Sequence, residues 1–309
     1  MSLWGLLRFD GLDTQSFLQG QLTNNITALS ATRSQYAGYC TPKGRLLASL
    51  LLWQHADAYH MLLPLELCEP IRKRLAMYIL RSKVKAADIS CEHVLFGIAG
   101  ADSAAVVTAI TGSAPVSIHD VTHNAGVTVL MLPVQRYLVV ATLDEAARVE
   151  ATLLAAASAS PETLWLTLDI EAGIPSVVAA TQEQFVPQAV NFDLIGALSF
   201  DKGCYPGQEI VARAHYLGKV KQRMVRASIP AKLTPDIPKA GDKLYSEAFG
   251  NQASGMIVAA AAAGTAQTAD GIYDVLAVIQ SSSLDKSDVH WHAPDGPLLD
   301  IQPLPYAIK

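Results

Sequence analysis

The sequence predicts an α+β protein of two or three domains, and three observations carry that reading. Its 309 residues are enough for more than one hydrophobic core. Short strand-like apolar runs alternate with stretches of helical spacing through most of the chain. Towards the C-terminus the pattern becomes strand-like between glycines and prolines.

The elements follow in order. Trp4–Phe9 reads as a strand, and Asp13 stands as an N-cap before a short helix at Thr14–Gln19. Tyr36–Cys40 and Arg45–Trp53 read as strands around the turn Thr41-Pro42-Lys43-Gly44. Ala58–Leu63 is a third strand. Glu66–Leu80 carries apolar residues at Leu67, Ile71, Leu75 and Tyr78–Ile79, a helical spacing. From about Cys91 a second unit begins. Strands are expected at Val94–Ala99, Val127–Leu132 and Tyr137–Ala141, with helices at Ser103–Ile110 and Leu143–Ala157. This β-α-β-β-α order resembles most of a ferredoxin-like module. A helix at Glu162–Ala172 should stop at Gly173 and Pro175. Ser228–Gly241, with Pro230, Pro235 and Pro238, reads as a connection into a last domain. Propensity favours a helix at Ala259–Ala263. Gly255 and Gly264 bracket it, however, and the β-like run Tyr273–Gln280 follows, so a strand pair in a small β-barrel is expected.

Composition narrows the class. Half the residues are hydrophobic, which excludes a disordered chain. A net charge of −5 argues against bulk electrostatic binding of nucleic acid. Cys40, Cys68, Cys91 and Cys204 show no C-x-x-C spacing, and scattered cysteines fit a reducing cytoplasm. Met1–Phe9 does not read as a signal peptide, and the eight residues Leu46–Trp53 cannot span a bilayer. A soluble, cytoplasmic monomer with no DNA or membrane partner is expected. Phosphate-loop, dinucleotide, nucleophile-elbow and zinc-protease motifs are absent.

The densest chemistry lies in Lys202-Gly203-Cys204-Tyr205-Pro206-Gly207-Gln208-Glu209. Its glycines and proline predict a tight loop carrying a thiol, an ammonium, a phenol, an amide and a carboxylate. A cation near Cys204 favours the thiolate, which is the nucleophilic, oxidisable form. A buried structural cysteine beside a solvated lysine fits the spacing equally well. Arg213, Lys219, Lys221, Arg223 and Arg226 could join Lys202 in a basic patch for phosphate or RNA, although an alternating solvated strand is the simpler reading. The same choice applies to Arg72, Lys73, Arg74, Arg81, Lys83 and Lys85, as a polar helix face running into an edge strand. Trp4 and Trp165 suit either core packing or the wall of a heterocycle site. Glu171 is either an exposed helix-end residue or a bidentate acceptor for an amino-pyrimidine edge. His290 and His292 have no third ligand, and no metal site is expected.

The segment Lys202–Glu209, continued by Ile210-Val211-Ala212-Arg213, resembles the K-G-C-Y-x-G-Q-E-x-x-A-R signature of the YgfZ family. That family is related to the T-protein, the aminomethyltransferase of glycine cleavage. Further segments are similar to the family. They include Gly11-Leu12-Asp13, Phe17–Thr23, Pro42-Lys43-Gly44, Ile170–Pro175, Phe185–Gln188 with Asn191, and Pro303–Tyr306. The resemblance implies a three-domain T-protein-like ring. Residues 1–90 with 160–225 would form a folate-binding domain, 91–159 a ferredoxin-like domain, and 226–309 a C-terminal β-barrel. It implies tetrahydrofolate or a derivative as cofactor. It also implies a role in tRNA modification and iron–sulfur enzyme maintenance, with tRNA or iron–sulfur client enzymes as partners. Trp4 and Trp165 match folate-contacting tryptophans, and Glu171 matches the pterin-binding carboxylate. Tyr205, Gln208 and Arg213 complete the expected folate contacts. Cys204 with Lys202 is the expected reactive pair.

One departure is informative. Aminomethyltransferases carry an aspartate in the region resembling Gly44–Trp53, whereas this run has no carboxylate. A general acid or base must reach the reacting nitrogen, and no side chain in this run can serve. Folate binding with a functional thiol is therefore expected. The alternatives are a folate-dependent aminomethyl or one-carbon transferase, and a module that recruits tRNA or a client through the basic residues after Cys204.

Overall fold

The computed structural model describes residues 1–216, 218, 220–233, 236–263, 271–284 and 288–308. The chain divides into two compact units. One comprises Met1–Tyr39, Ala48–Pro161 and Asp201–Tyr205; the other comprises Cys40–Leu47, Glu162–Phe200 and Pro206–Lys309.

The first unit contains two sheets. The N-terminal elements are β1 (Trp4–Asp10), α1 (Thr14–Gln19), β2 (Ser34–Cys40), β3 (Leu46–His55), β4 (Ala58–Pro64), α2 (Leu65–Ala76) and β5 (Lys85–Asp88). Their strands form a five-stranded sheet in the order β2-β3-β4-β1-β5. The apolar run of β3, interrupted only by the partly buried Ser49, is buried on both faces. α1 begins where expected, but Asp13 does not cap it with its side chain. Its carboxylate instead accepts from the backbone N–H of Lys83 at 2.7 Å, tying the helix start to the loop just before β5. α2 stops at Ala76, four residues before the expected end. Tight turns at Tyr78 and Ile79 and a left-handed Leu80 (φ 46°) end it despite the continuing apolar spacing.

The second sheet is built from β6 (His93–Ala99), α3 (Ser103–Thr111), β7 (Val121–Asn124), β8 (Val127–Leu132), β9 (Arg136–Thr142) and α4 (Leu143–Ala156). It runs β6-β9-β8-β7, antiparallel throughout. The expected β-α-β-β-α order omits β7, whose Val-Thr-His-Asn sequence carries one apolar residue. Val107, Val129, Val139 and Val149 pack the two helices onto the sheet.

The second unit holds α5 (Thr163–Glu171), α6 (Gln208–Tyr216), β10 (Gln222–Pro230), β11 (Lys243–Ser246), β12 (Gly255–Ala263), β13 (Ile272–Gln280), β14 (Val289–Trp291) and β15 (Asp300–Gln302). Its strands form a six-stranded sheet, β14-β11-β12-β13-β10-β15. The alanine run is strand, as the flanking pattern predicts: tertiary pairing with β13 overrides helix propensity. β10 continues through Ser228 to Pro230, so the connection to the last strands begins later than expected. Pro235 and Gly264 lie outside the described residues. Val225, Ala227, Ile257, Val275, Ala277 and Trp291 form the core here.

α5 ends in a Schellman motif. Ile174 N–H donates to Asp169 O at 2.9 Å, and Gly173 N–H to Ile170 O at 3.0 Å. Gly173 has φ 65°, and a Cβ there would meet the Tyr306 ring at 2.7 Å. Among the described residues, no helix is long and apolar enough to cross a membrane.

Candidate functional site around the Lys202–Glu209 loop

Lys202 anchors its loop. Its ammonium donates to the carbonyls of Gln19 (2.6 Å), the last residue of α1, and of Leu22 (2.6 Å) and Asn24 (3.0 Å) just beyond it. An ammonium has three N–H donors, so each is used. It also lies 5.1 Å from the centroid of the buried Tyr205 ring. Burial pushes the lysine's pKa down to about 8, while the three carbonyls favour its charged form. Lys202 therefore holds the loop in place, a role that its spacing from Cys204 does not reveal. Cys204 is exposed, unlike the buried Cys40 and Cys68, whose thiols burial pushes up to about 12.

The rest of the signature belongs to the second unit. Gly207 (φ 82°) lies against the backbone of the Thr41–Gly44 turn. A Cβ at Gly207 would sit 2.5 Å from Thr41 O and 2.6 Å from Gly44 Cα. Gly44 is left-handed too (φ 68°), and its own Cβ would meet Ile210 at 3.0 Å and Gly207 O at 3.2 Å. α6 starts directly after this contact with the half-buried Gln208, and Arg213 is exposed in its last turn. Gln188 fixes the helix, donating to Val211 O at 2.6 Å.

Several segments that resemble the family are joined in this unit. Tyr306 Oη donates to Gly173 O at 2.7 Å and accepts from Asn191 Nδ2 at 3.4 Å. Asn191 Nδ2 also donates to Met224 O at 2.7 Å. These residues brace the end of α5, which carries the half-exposed Glu171 and the buried Trp165. The two are six residues apart, about 120° around the helix, so they face different directions.

Sequence reasoning missed the partner of Glu171. Arg226 on β10 places Nη2 3.8 Å from Glu171 Oε1 and 3.1 Å from Asp274 Oδ2. Arg226 belongs to the basic run for which a solvated strand is the simpler reading, and the described members of that run differ in their surroundings. Arg223 is buried and forks onto Asp193 at 2.7 and 2.9 Å, Arg226 is ion-paired, and Lys202 is enclosed by carbonyls. Arg213 and Lys221 are exposed, and Lys219 lies outside the described residues.

Trp4 opens β1 in the first unit and is half-buried. Its indole N–H is buried and has no hydrogen-bond partner among the described residues. A buried tryptophan donor is normally satisfied, so this N–H is a donor still without its acceptor. His290 Nδ1–H donates to Gly296 O at 2.8 Å, while His292 (φ 74°) lies beyond β14. Among the described residues, no cluster of three or more His, Cys, Asp or Glu side chains could hold a metal ion.

With this geometry in hand, the fold is that of the T-protein class. The crystal structure of glycine cleavage system aminomethyltransferase T from Bartonella henselae aligns with a TM-score of 0.75, covering 98% of this chain and 83% of that one at 14% identity. In sequence, the chain is 34% identical to the tRNA-modifying protein YgfZ of Sodalis glossinidius (strain morsitans), across 99% of this chain and 91% of that protein. It is 30% identical to the protein of the same name from Shigella sonnei (strain Ss046), across 99% and 92%. The chain belongs to the YgfZ family. No family model matches it.

Proposed function

We propose that this protein binds tetrahydrofolate or a derivative and acts in tRNA modification and the maintenance of iron–sulfur enzymes, with Cys204 as its functional thiol. The observation that carries the folate reading is the buried, unpartnered indole N–H of Trp4, at a position where the family resemblance implies a folate contact. The remaining contacts in this reading are Trp165, Glu171, Tyr205, Gln208 and Arg213. Glu171 would accept from the pterin's amino-pyrimidine edge, with Arg226 and Asp274 setting its carboxylate. Bound folate would supply a one-carbon carrier. The protein's part is to present an exposed thiol on a loop that Lys202 holds.

The three-domain ring, with a C-terminal β-barrel and boundaries near residues 90, 160 and 225, belongs to the same reading. It is supported by the T-protein-like fold and by the three separate sheets. Transfer of an aminomethyl group from glycine is disfavoured, because Gly44–Trp53 offers no carboxylate for proton transfer.

Titrating tetrahydrofolate against tryptophan fluorescence tests the proposal. Saturable quenching is expected in wild type and in Cys204→Ala, and weaker binding in Trp4→Phe. Cys204→Ala should fail to complement in cells although it binds folate. Unchanged fluorescence with no calorimetric heat would exclude the folate reading, and full complementation by Cys204→Ala would remove the thiol from the mechanism.

A further inference from the structure

After Cys204, Arg223 and Arg226 are held in ion pairs, and a second basic run lies elsewhere in the chain. Residues 72–85 contain six of the 23 Lys and Arg residues and no Asp or Glu, in a chain of net charge −5. They occupy the end of α2, the turn after it and the start of β5. Glu69 engages two of them, Arg72 at 2.8 Å and Lys73 at 3.1 Å. Arg81, Lys83 and Lys85 are exposed, and their side chains have no partner among the described residues. Met77, Tyr78 and Leu80 stand out between these cations, 65%, 45% and 87% exposed. β5 is the edge strand of its sheet. Lysines on an edge strand discourage strand pairing, which accounts for Lys85. It does not account for an aromatic and two large aliphatic side chains turned to solvent beside Arg81 and Lys83.

Unpaired cations within a few residues of an exposed aromatic ring match the chemistry of RNA, with phosphates for the charges and an unstacked base for the ring. We propose that the α2–β5 surface docks RNA, with backbone phosphates on Arg81, Lys83 and Lys85 and a base stacked on Tyr78. This rests on the reading that the protein acts on tRNA, and it names the surface that would do so.

The test is fluorescence anisotropy with an unmodified tRNA transcript and the full chain, over a salt series. Wild type should bind, with the logarithm of the affinity falling linearly with the logarithm of salt. The variant R81E/K83E/K85E should bind at least tenfold more weakly and lower the salt slope by about 2, the share of three phosphate contacts. Tyr78→Ala should weaken binding about tenfold and Tyr78→Phe should restore it, as stacking requires a ring and not a hydroxyl. All these positions are exposed, and an unchanged melting temperature and tetrahydrofolate titration would confirm that each variant is folded. If the triple variant binds like wild type, this surface is wrong while the tRNA reading survives. If wild type binds no tRNA, both fail. If wild type instead binds phosphatidylserine vesicles and ignores tRNA, the surface is a lipid site and the proposal is overturned.

Discussion

Lys202 Nζ donates to the carbonyl oxygen of Leu22 at 2.6 Å, joining residues 180 positions apart in the sequence. With Gln19 and Asn24, Leu22 makes a three-carbonyl cradle that only a compact, three-donor cation fills. Lys202→Met should therefore destabilise the protein by roughly 1–3 kcal/mol, the cost of leaving acceptors unmade. Lys202→Arg should recover little of this, since a planar fork does not converge on three oxygens. Urea unfolding measures the cost. A wild-type midpoint for Lys202→Met would show that the cradle is incidental.

Arg223 and Asp193 form a forked ion pair with side chains 8% and 12% exposed. Removing one partner leaves the other charge buried, so Asp193→Ala should cost about 3–5 kcal/mol. The double variant Arg223→Met/Asp193→Leu should be less destabilised than either single change would suggest. A double-mutant cycle with zero coupling would refute the pairing.

Acid should weaken the first unit. Burial pushes the imidazole of His60 down to about 3, helped by the charge of nearby His55, and burial pushes His119 down to about 4. In the unfolded chain both take up a proton near the ordinary 6.5. Between pH 6.5 and 4 the unfolded state thus binds more protons, and stability falls as pH falls. Each group contributes up to roughly 1.4 kcal/mol per pH unit. His60→Phe keeps the ring stacked on Trp53 and removes one titration, so its stability should drop less between pH 7 and 5. An equal drop in both proteins, read from urea midpoints, would count against His60.

Thiol labelling separates the cysteines. At pH 8 the exposed Cys204 and Cys91 should react in the native protein, whereas Cys40 and Cys68 should wait for unfolding. Cys204→Ala should remove one of the two native signals. Mass mapping that finds Cys40 labelled in the folded protein would contradict its burial.

Strands were easiest to read where burial writes a nearly continuous apolar run, as in β3, or where glycines bracket it, as in β12. β7 was illegible because its partner β8 supplies most of the apolar surface of that pair. The end of α2 was misplaced because Tyr78 and Ile79 keep helical spacing while the backbone has already turned. Among the candidate site residues, Cys204 and Lys202 were singled out by composition alone. The lysine's acceptors are backbone carbonyls, however, and a carbonyl leaves no mark on a sequence. Arg226 was noticed as a charge, but only the register of β10 against β13 sets it across from Leu276 and brings it to Asp274.

Gly44 and Gly207 press backbone against backbone, each left-handed and each closing the space the other would need for a side chain. Two short motifs that look independent along the chain are thus one steric object. A Cβ at Gly207 would collide with the other segment's main chain, where no rotamer can yield, and one at Gly44 would crowd Ile210 and Gly207 O from a left-handed backbone that disfavours any side chain. A library that varies one position at a time would find both sites intolerant for the same reason. Only a joint redesign of the Thr41–Gly44 turn and the start of α6 could reshape this part of the protein.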